Sequence, residues 1–71
     1  MKSNQNSRIR RIAVGEVTSF LNDGYRFIGR VCKRGGESIF LHHLQNHSRV
    51  QIAMDDTHLQ IIRDGVVVKS V

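Results

Sequence analysis

The sequence contains no proline and no tryptophan, and it has one cysteine among 71 residues. A lone cysteine cannot form an intrachain disulfide, so the fold must be stabilised by its core, and the chain suits a reducing cytoplasm. No apolar run approaches the length that spans a bilayer, and the N-terminal residues lack the apolar segment of a signal peptide. We therefore expect neither secretion nor membrane insertion.

Acidic residues are also few, because six Asp and Glu stand against 11 Lys and Arg, which gives a formal net charge of +5. A small basic domain attracts polyanions, since each neutralised phosphate releases a condensed counterion. Nucleic acid is the first candidate partner. The alternative is that the charge serves solubility alone.

The chain is long enough for one domain and too short for two. Residues 1–8 have no periodic apolar pattern and contain Asn, Ser, Gln and basic side chains, so they are predicted to form a disordered basic arm. Residues 9–71 are then predicted to form a single β-barrel domain.

Short runs rich in β-branched and aromatic residues alternate with turn signals, which favours strands, and no segment shows a sustained helical period. Gly15 is expected to bend a long first strand, and Asp64-Gly65 is a hairpin signal near the C-terminus. The predicted strands cover residues 12–21, 25–32, 38–44, 49–54, 58–63 and 66–71. They predict a small all-β barrel of five or six strands, either of oligonucleotide-binding (OB-fold) type or SH3-like.

Four rings stand at alternating positions in two successive predicted strands: Tyr25 and Phe27 in one, Phe40 and His42 in the next. If the two strands are antiparallel neighbours, these rings gather on one face of the sheet. Flat rings framed by cations form a platform on which unpaired bases stack. The alternative is that this face is the hydrophobic core.

Two segments carry a family resemblance over about the first two thirds of the chain. Gly15-Glu16-Val17 with Phe20 precedes Gly24-Tyr25-Arg26-Phe27-Ile28, and Ile39-Phe40-Leu41-His42-His43 follows a glycine-bearing turn. These segments resemble the first strand and the two ribonucleoprotein motifs of the cold-shock domain family. The resemblance implies a five-stranded OB barrel whose aromatic and histidine positions stack on bases of single-stranded RNA or DNA.

By that resemblance, the stacking residues are Tyr25, Phe27, Phe40, His42 and His43, with Phe20 beside them, while Val17, Ile28, Ile39 and Leu41 fill the barrel. The basic side chains expected to contact phosphates are Arg8, Arg10, Arg11, Arg30, Lys33 and Arg34. The predicted function is binding of single-stranded nucleic acid, in the regulation of transcription or translation, without catalysis, cofactor or metal.

The terminal sequence VVVKSV is apolar, and an edge strand there can pair with another chain or close the barrel against the first strand. A homodimer or another protein partner is therefore a second expectation. The alternative function, from a different class, is a small adaptor or inhibitor that binds a protein through this edge or through its basic face.

Overall fold

The structure is a computed structural model that describes residues 4–71. One helix precedes five strands: α1 (Asn4–Asn22), β1 (Tyr25–Lys33), β2 (Gly36–His43), β3 (Arg49–Met54), β4 (Leu59–Arg63) and β5 (Val66–Ser70). The strands form one antiparallel sheet in sequential order. The mostly β fold with five strands is confirmed. The sheet stays open, however, and leaves β1 and β5 as its two edges.

The segment expected to be the first strand, residues 12–21, is helical, and that prediction was wrong. Ile9 and Ala13 are buried, and Val17 and Phe20 pack against the same core. These positions recur every three or four residues, which places them on one side of a helix. The β-branched residues of this segment lower helix propensity by only tenths of a kcal/mol each, far less than the burial of the sheet-facing side of α1 contributes.

Helix α1 begins at Asn4, so residues 4–8 of the expected N-terminal arm belong to its first turns, and residues 1–3 of that arm lie outside the described residues. The helix ends at Asn22, and Gly24 in the turn after it has a φ of 100°. The Gly24 amide donates to the Leu21 carbonyl at 3.2 Å. A Cβ at Gly24 would lie 2.8 Å from His43 Nε2, so both backbone conformation and space require glycine there.

The core lies between α1 and one side of the sheet, which we call the helix face. Five sheet residues on this face are fully covered: Leu41, Val50, Ile52, Leu59 and Ile61. Each such side chain contributes about 1.5–3 kcal/mol of burial free energy. The opposite side, which we call the outer face, has no helix over it in the described part of the chain.

Two sets of ion pairs connect α1 to the sheet, one at β2 and one at β5. Arg10 and Arg30 both approach the Glu37 carboxylate, at 3.6 and 3.4 Å, and Lys69 of β5 pairs with Glu16. The pairs are solvent-exposed on at least one side, so each contributes little stability by itself. They matter because they engage both glutamates of the chain on the helix face.

Candidate nucleic-acid interface

The strand register separates the four predicted stacking rings onto two faces. Tyr25 pairs with His43 and Phe27 with Leu41, and Leu41 is buried under α1. Tyr25 and Phe27 therefore lie on the helix face, whereas Phe40 and His42 lie on the outer face. The prediction of one shared face was wrong. The reason is the pairing register of the hairpin, which matches odd positions of β1 with odd positions of β2 at this end.

A β-bulge at Ile28 then shifts the register, so that Gly29 pairs with Phe40 and Val31 with Ser38. Beyond the bulge, odd-numbered residues of β1 change to the outer face. Gly29, Val31 and Lys33 consequently share that face with Phe40.

Tyr25, Phe20 and His43 form a packed cluster where α1 meets the sheet. The Tyr25 ring meets Phe20 edge-on at 5.0 Å and His43 edge-on at 4.8 Å between centroids. The Tyr25 hydroxyl donates to Ser48 Oγ at 3.0 Å. These contacts anchor the helix C-terminus on the sheet, so the three predicted binding residues have structural partners within the chain.

His43 makes three further bonds with the backbone of its surroundings. Its Nε2–H donates to the Asp23 carbonyl at 3.0 Å, while Nδ1 accepts from the Gln45 and Asn46 amides at 3.1 and 3.3 Å. A carbonyl can only accept and an amide can only donate, so this pattern fixes the tautomer with the proton on Nε2. His43 therefore joins the turn after α1 to the turn after β2.

Phe40 stands near the middle of β2 and lies on the outer face. It is half-buried, with Gly29 of β1 as its partner on one side and Gln51 of β3 on the other. A Cβ built at Gly29 would meet no atom within 4 Å, so the space beside the Phe40 ring is open. Gln51 is held in place because its Nε2 donates to Ser38 Oγ at 3.2 Å. The geometry is an aromatic ring with an unfilled slot next to it.

Cations border this slot at both ends of the strands. Arg26, His42 and Arg49 are register partners across β1, β2 and β3, and the His42 ring lies 6.0 Å from that of His47. At the other end, Lys33 and Arg34 lie beside an open groove of about 450 Å³. The outer-face residues that line this groove include Val31, Ser38, Ala53 and Gln60.

Sequence reasoning missed Gly29, Arg26 and Arg49 as members of this surface. Arg26 and Arg49 are both exposed, and both stand opposite His42. The register that brings them together depends on the hairpin turn and on the bulge. A basic residue at or near the start of β1 and of β3, the two strands on either side of β2, was the only local signal.

Four of the six predicted phosphate contacts lie on the helix side. Arg8 and Arg11 are exposed on α1, and Arg10 and Arg30 engage Glu37. Only Lys33 and Arg34 border the outer face. The predicted cations thus do not share one face, although Lys33 also lines a second groove together with Arg10.

Two aspartates are bound into turns at the sheet ends. Hydrogen bonds from the Thr57 and His58 amides lower the pKa of Asp55 below its ordinary value of 3.8. The pKa of Asp64 is lowered as well, chiefly by the Arg49 amide, which donates to Oδ1 at 2.9 Å, and also by the Ser48 hydroxyl. Both carboxylates therefore stabilise the turns in their charged form.

Charge on the outer face is consequently of one sign along the strands. Glu37 is the only acidic residue within the five strands, and it lies on the helix face with Arg10 and Arg30. Phosphates that approach the outer face therefore meet Arg26, Arg49 and Lys33, and the carboxylates near them are Glu37 and Asp55, which line the groove at the Lys33 end.

Among the described residues, no three His, Cys, Asp or Glu side chains are grouped closely enough to hold a metal ion. Cys32 is a free, exposed thiol on β1. Within the same part of the chain, no helix combines the length and apolarity needed to cross a bilayer. No protein-family model, curated protein or solved structure matches the chain.

Proposed function

We propose that the chain binds single-stranded RNA or DNA on the outer face of its sheet. One observation carries the proposal: Phe40 stands beside an unfilled space over Gly29, on a face whose strand charges are all positive. An unpaired base can enter that space and stack on the ring, whereas a base inside a duplex cannot. Base–aromatic stacking contributes about 1–3 kcal/mol per base.

The cations at the two ends of the face supply the phosphate contacts in this proposal. Arg26 and Lys33 are the first and last basic residues of β1, separated by roughly 23 Å at about 3.3 Å per strand residue. A strand of several nucleotides spans that length. Arg26 and Arg49 would hold its backbone at one end, Lys33 and Arg34 at the other, with the slot between them.

The test compares two phenylalanine variants that differ in face. Binding of labelled heteropolymeric single-stranded oligonucleotides is measured by fluorescence anisotropy at low and moderate salt, with a duplex of the same sequence alongside. Phe40→Ala is expected to weaken single-strand binding by roughly 5–150-fold. Phe27→Ala removes a ring that is 52% exposed on the helix face, and it should leave affinity unchanged.

Affinity should also fall steeply with salt, because phosphate binding releases counterions. Three results would contradict the proposal. The first is no binding at low salt, and the second is equal loss in both variants. The third is equal affinity for the duplex, which would reduce the interaction to charge attraction without base stacking. Circular dichroism of both variants separates lost binding from lost fold.

A further inference from the structure

We propose that β5 pairs with the β5 of a second copy of this chain, so that the two sheets become one. The inference does not depend on nucleic-acid binding. All five residues of β5 are exposed, with Val66, Val67 and Val68 at 62%, 50% and 46%. An edge strand offers a row of unpaired backbone donors and acceptors, which another strand satisfies by adding to the sheet.

Charge distinguishes β5 from β1, the other free edge. Both edges carry one bulge, so the bulges do not decide between them. Two copies of β1 would bring the like charges of Arg26, Arg30 and Lys33 together. In β5 the single charged residue is Lys69, and it pairs with Glu16 of its own helix. The valine edge therefore accepts a copy of itself, whereas the basic edge repels one.

In the proposed two-fold antiparallel pairing, Val67 stands opposite the partner's Val67, and the residues before and after it meet compatible residues of the partner. It sets Val66 against the partner's Val68, which is the bulged residue of the β4–β5 ladder, and the reverse, so that three valine pairs lie at the centre of the interface. Lys69 then stands opposite the partner's Gly65, one residue from the partner's Asp64 carboxylate. This register joins apolar with apolar side chains, and Lys69 keeps Glu16 of its own helix as its partner.

The interface is short, and both copies carry a charge of +5, so the association is weak and becomes stronger as salt screens the repulsion. This trend is opposite to that of nucleic-acid binding, which salt weakens. The two proposals can therefore fail independently. Sedimentation velocity of the full chain, from micromolar to millimolar concentration at low and moderate salt, measures the association directly.

One substitution at each edge provides a matched comparison. Val67→Lys places two lysines opposite each other at the two-fold and should raise the dissociation constant by about tenfold or more. Val31→Lys makes the same change on β1, where the wild-type side chain is 44% exposed, and should leave the dimer intact. Circular dichroism checks that both variants fold.

Disulfide trapping tests the register. In a Cys32→Ser background, Val67→Cys should form a cross-linked dimer under mild oxidation at least about tenfold faster than Val31→Cys, because only the former brings two Cβ atoms within bonding distance. A chain that stays monomeric at millimolar concentration would overturn the proposal. So would equal cross-linking at both positions, or open-ended polymers in place of a dimer.

Discussion

Replacing Gly29 with valine should weaken nucleic-acid binding while making the protein more stable. The space that a side chain would enter at Gly29 is empty to 4 Å, and its backbone lies outside the left-handed region that favours glycine. Valine therefore fits the strand without strain, and its branched side chain fills the slot beside Phe40. Affinity is expected to fall while stability rises, so weaker binding in this variant cannot be attributed to unfolding.

The expected changes in affinity and in stability both follow from the local geometry. Excluding one stacked base removes about 1–3 kcal/mol, which corresponds to roughly 5–150-fold in affinity. Exchanging glycine for a β-branched residue within a strand restores about 0.5–1 kcal/mol of stability, because glycine loses the most backbone entropy on folding. In a domain of this size that gain raises the melting temperature by roughly 2–8 °C.

Anisotropy titrations and thermal unfolding by circular dichroism measure the two quantities on the same samples. Gly15→Ala is the matched control, since Gly15 is an exposed helical glycine with nothing within 4 Å of its Cβ position. It should raise stability by about 1 kcal/mol and leave binding unchanged. Wild-type affinity in Gly29→Val would refute the stacking slot, and lower stability would refute the description of an open, unstrained strand there.

Two further predictions concern the turns. His43→Ala should lower the free energy of unfolding by about 1–3 kcal/mol in urea titrations, because three backbone partners lose their hydrogen bonds; an unchanged midpoint would argue against the anchoring role. The pKa of Asp64 is lower in the folded protein, so its contribution is present above the ordinary value of 3.8 and is lost as the pH falls through the lowered folded value. Asp64→Asn should therefore reduce the loss of thermal stability on acidification below about pH 4, relative to an Asp56→Asn control, and an identical acid profile in both would contradict this.

The strands could be predicted from sequence because their signals are local. Residues 49–54 were predicted with the observed bounds, and the ends of the other four strands lie within two residues of the prediction. Turn chemistry explains this success. Gly35 and Gly65 both adopt positive φ, a conformation that glycine reaches at no steric cost, and Asp64 precedes the second of them.

Helix α1 could not be predicted from residues 12–21 alone, because their composition favours a strand and their period becomes visible only when Ile9 is included. Ile9, Ala13 and Phe20 face the sheet together, and Ile9 and Ala13 are only 2% and 3% exposed. The free energy of covering the sheet outweighs the local preference of the β-branched residues. Strand propensity and tertiary burial thus point in opposite directions in this segment.

The candidate site was predicted in part. Phe40, His42, Lys33 and Arg34 were named from the sequence and border the outer face. Tyr25 and Phe27 lie on the other side because a one-residue change of register exchanges the faces of a strand, and His43 lies there because it is next to His42 in β2. The bulge at Ile28 has no sequence signature, yet it decides that Gly29 is the residue beside Phe40.

The distribution of acidic residues explains why the outer face can remain cationic in a chain that is not uniformly basic. Glu16 and Glu37 engage Lys69 and arginines on the helix face, and the four aspartates, Asp23, Asp55, Asp56 and Asp64, all lie in turns. The same placement that secures α1 and the turns thus keeps acidic residues out of the outer-face positions of the strands, and leaves Glu37 and Asp55 at the groove beside Lys33. An acidic substitution at Ala53, on that face, would therefore reduce affinity for a polyanion far more than one at Val14, which is 64% exposed on α1.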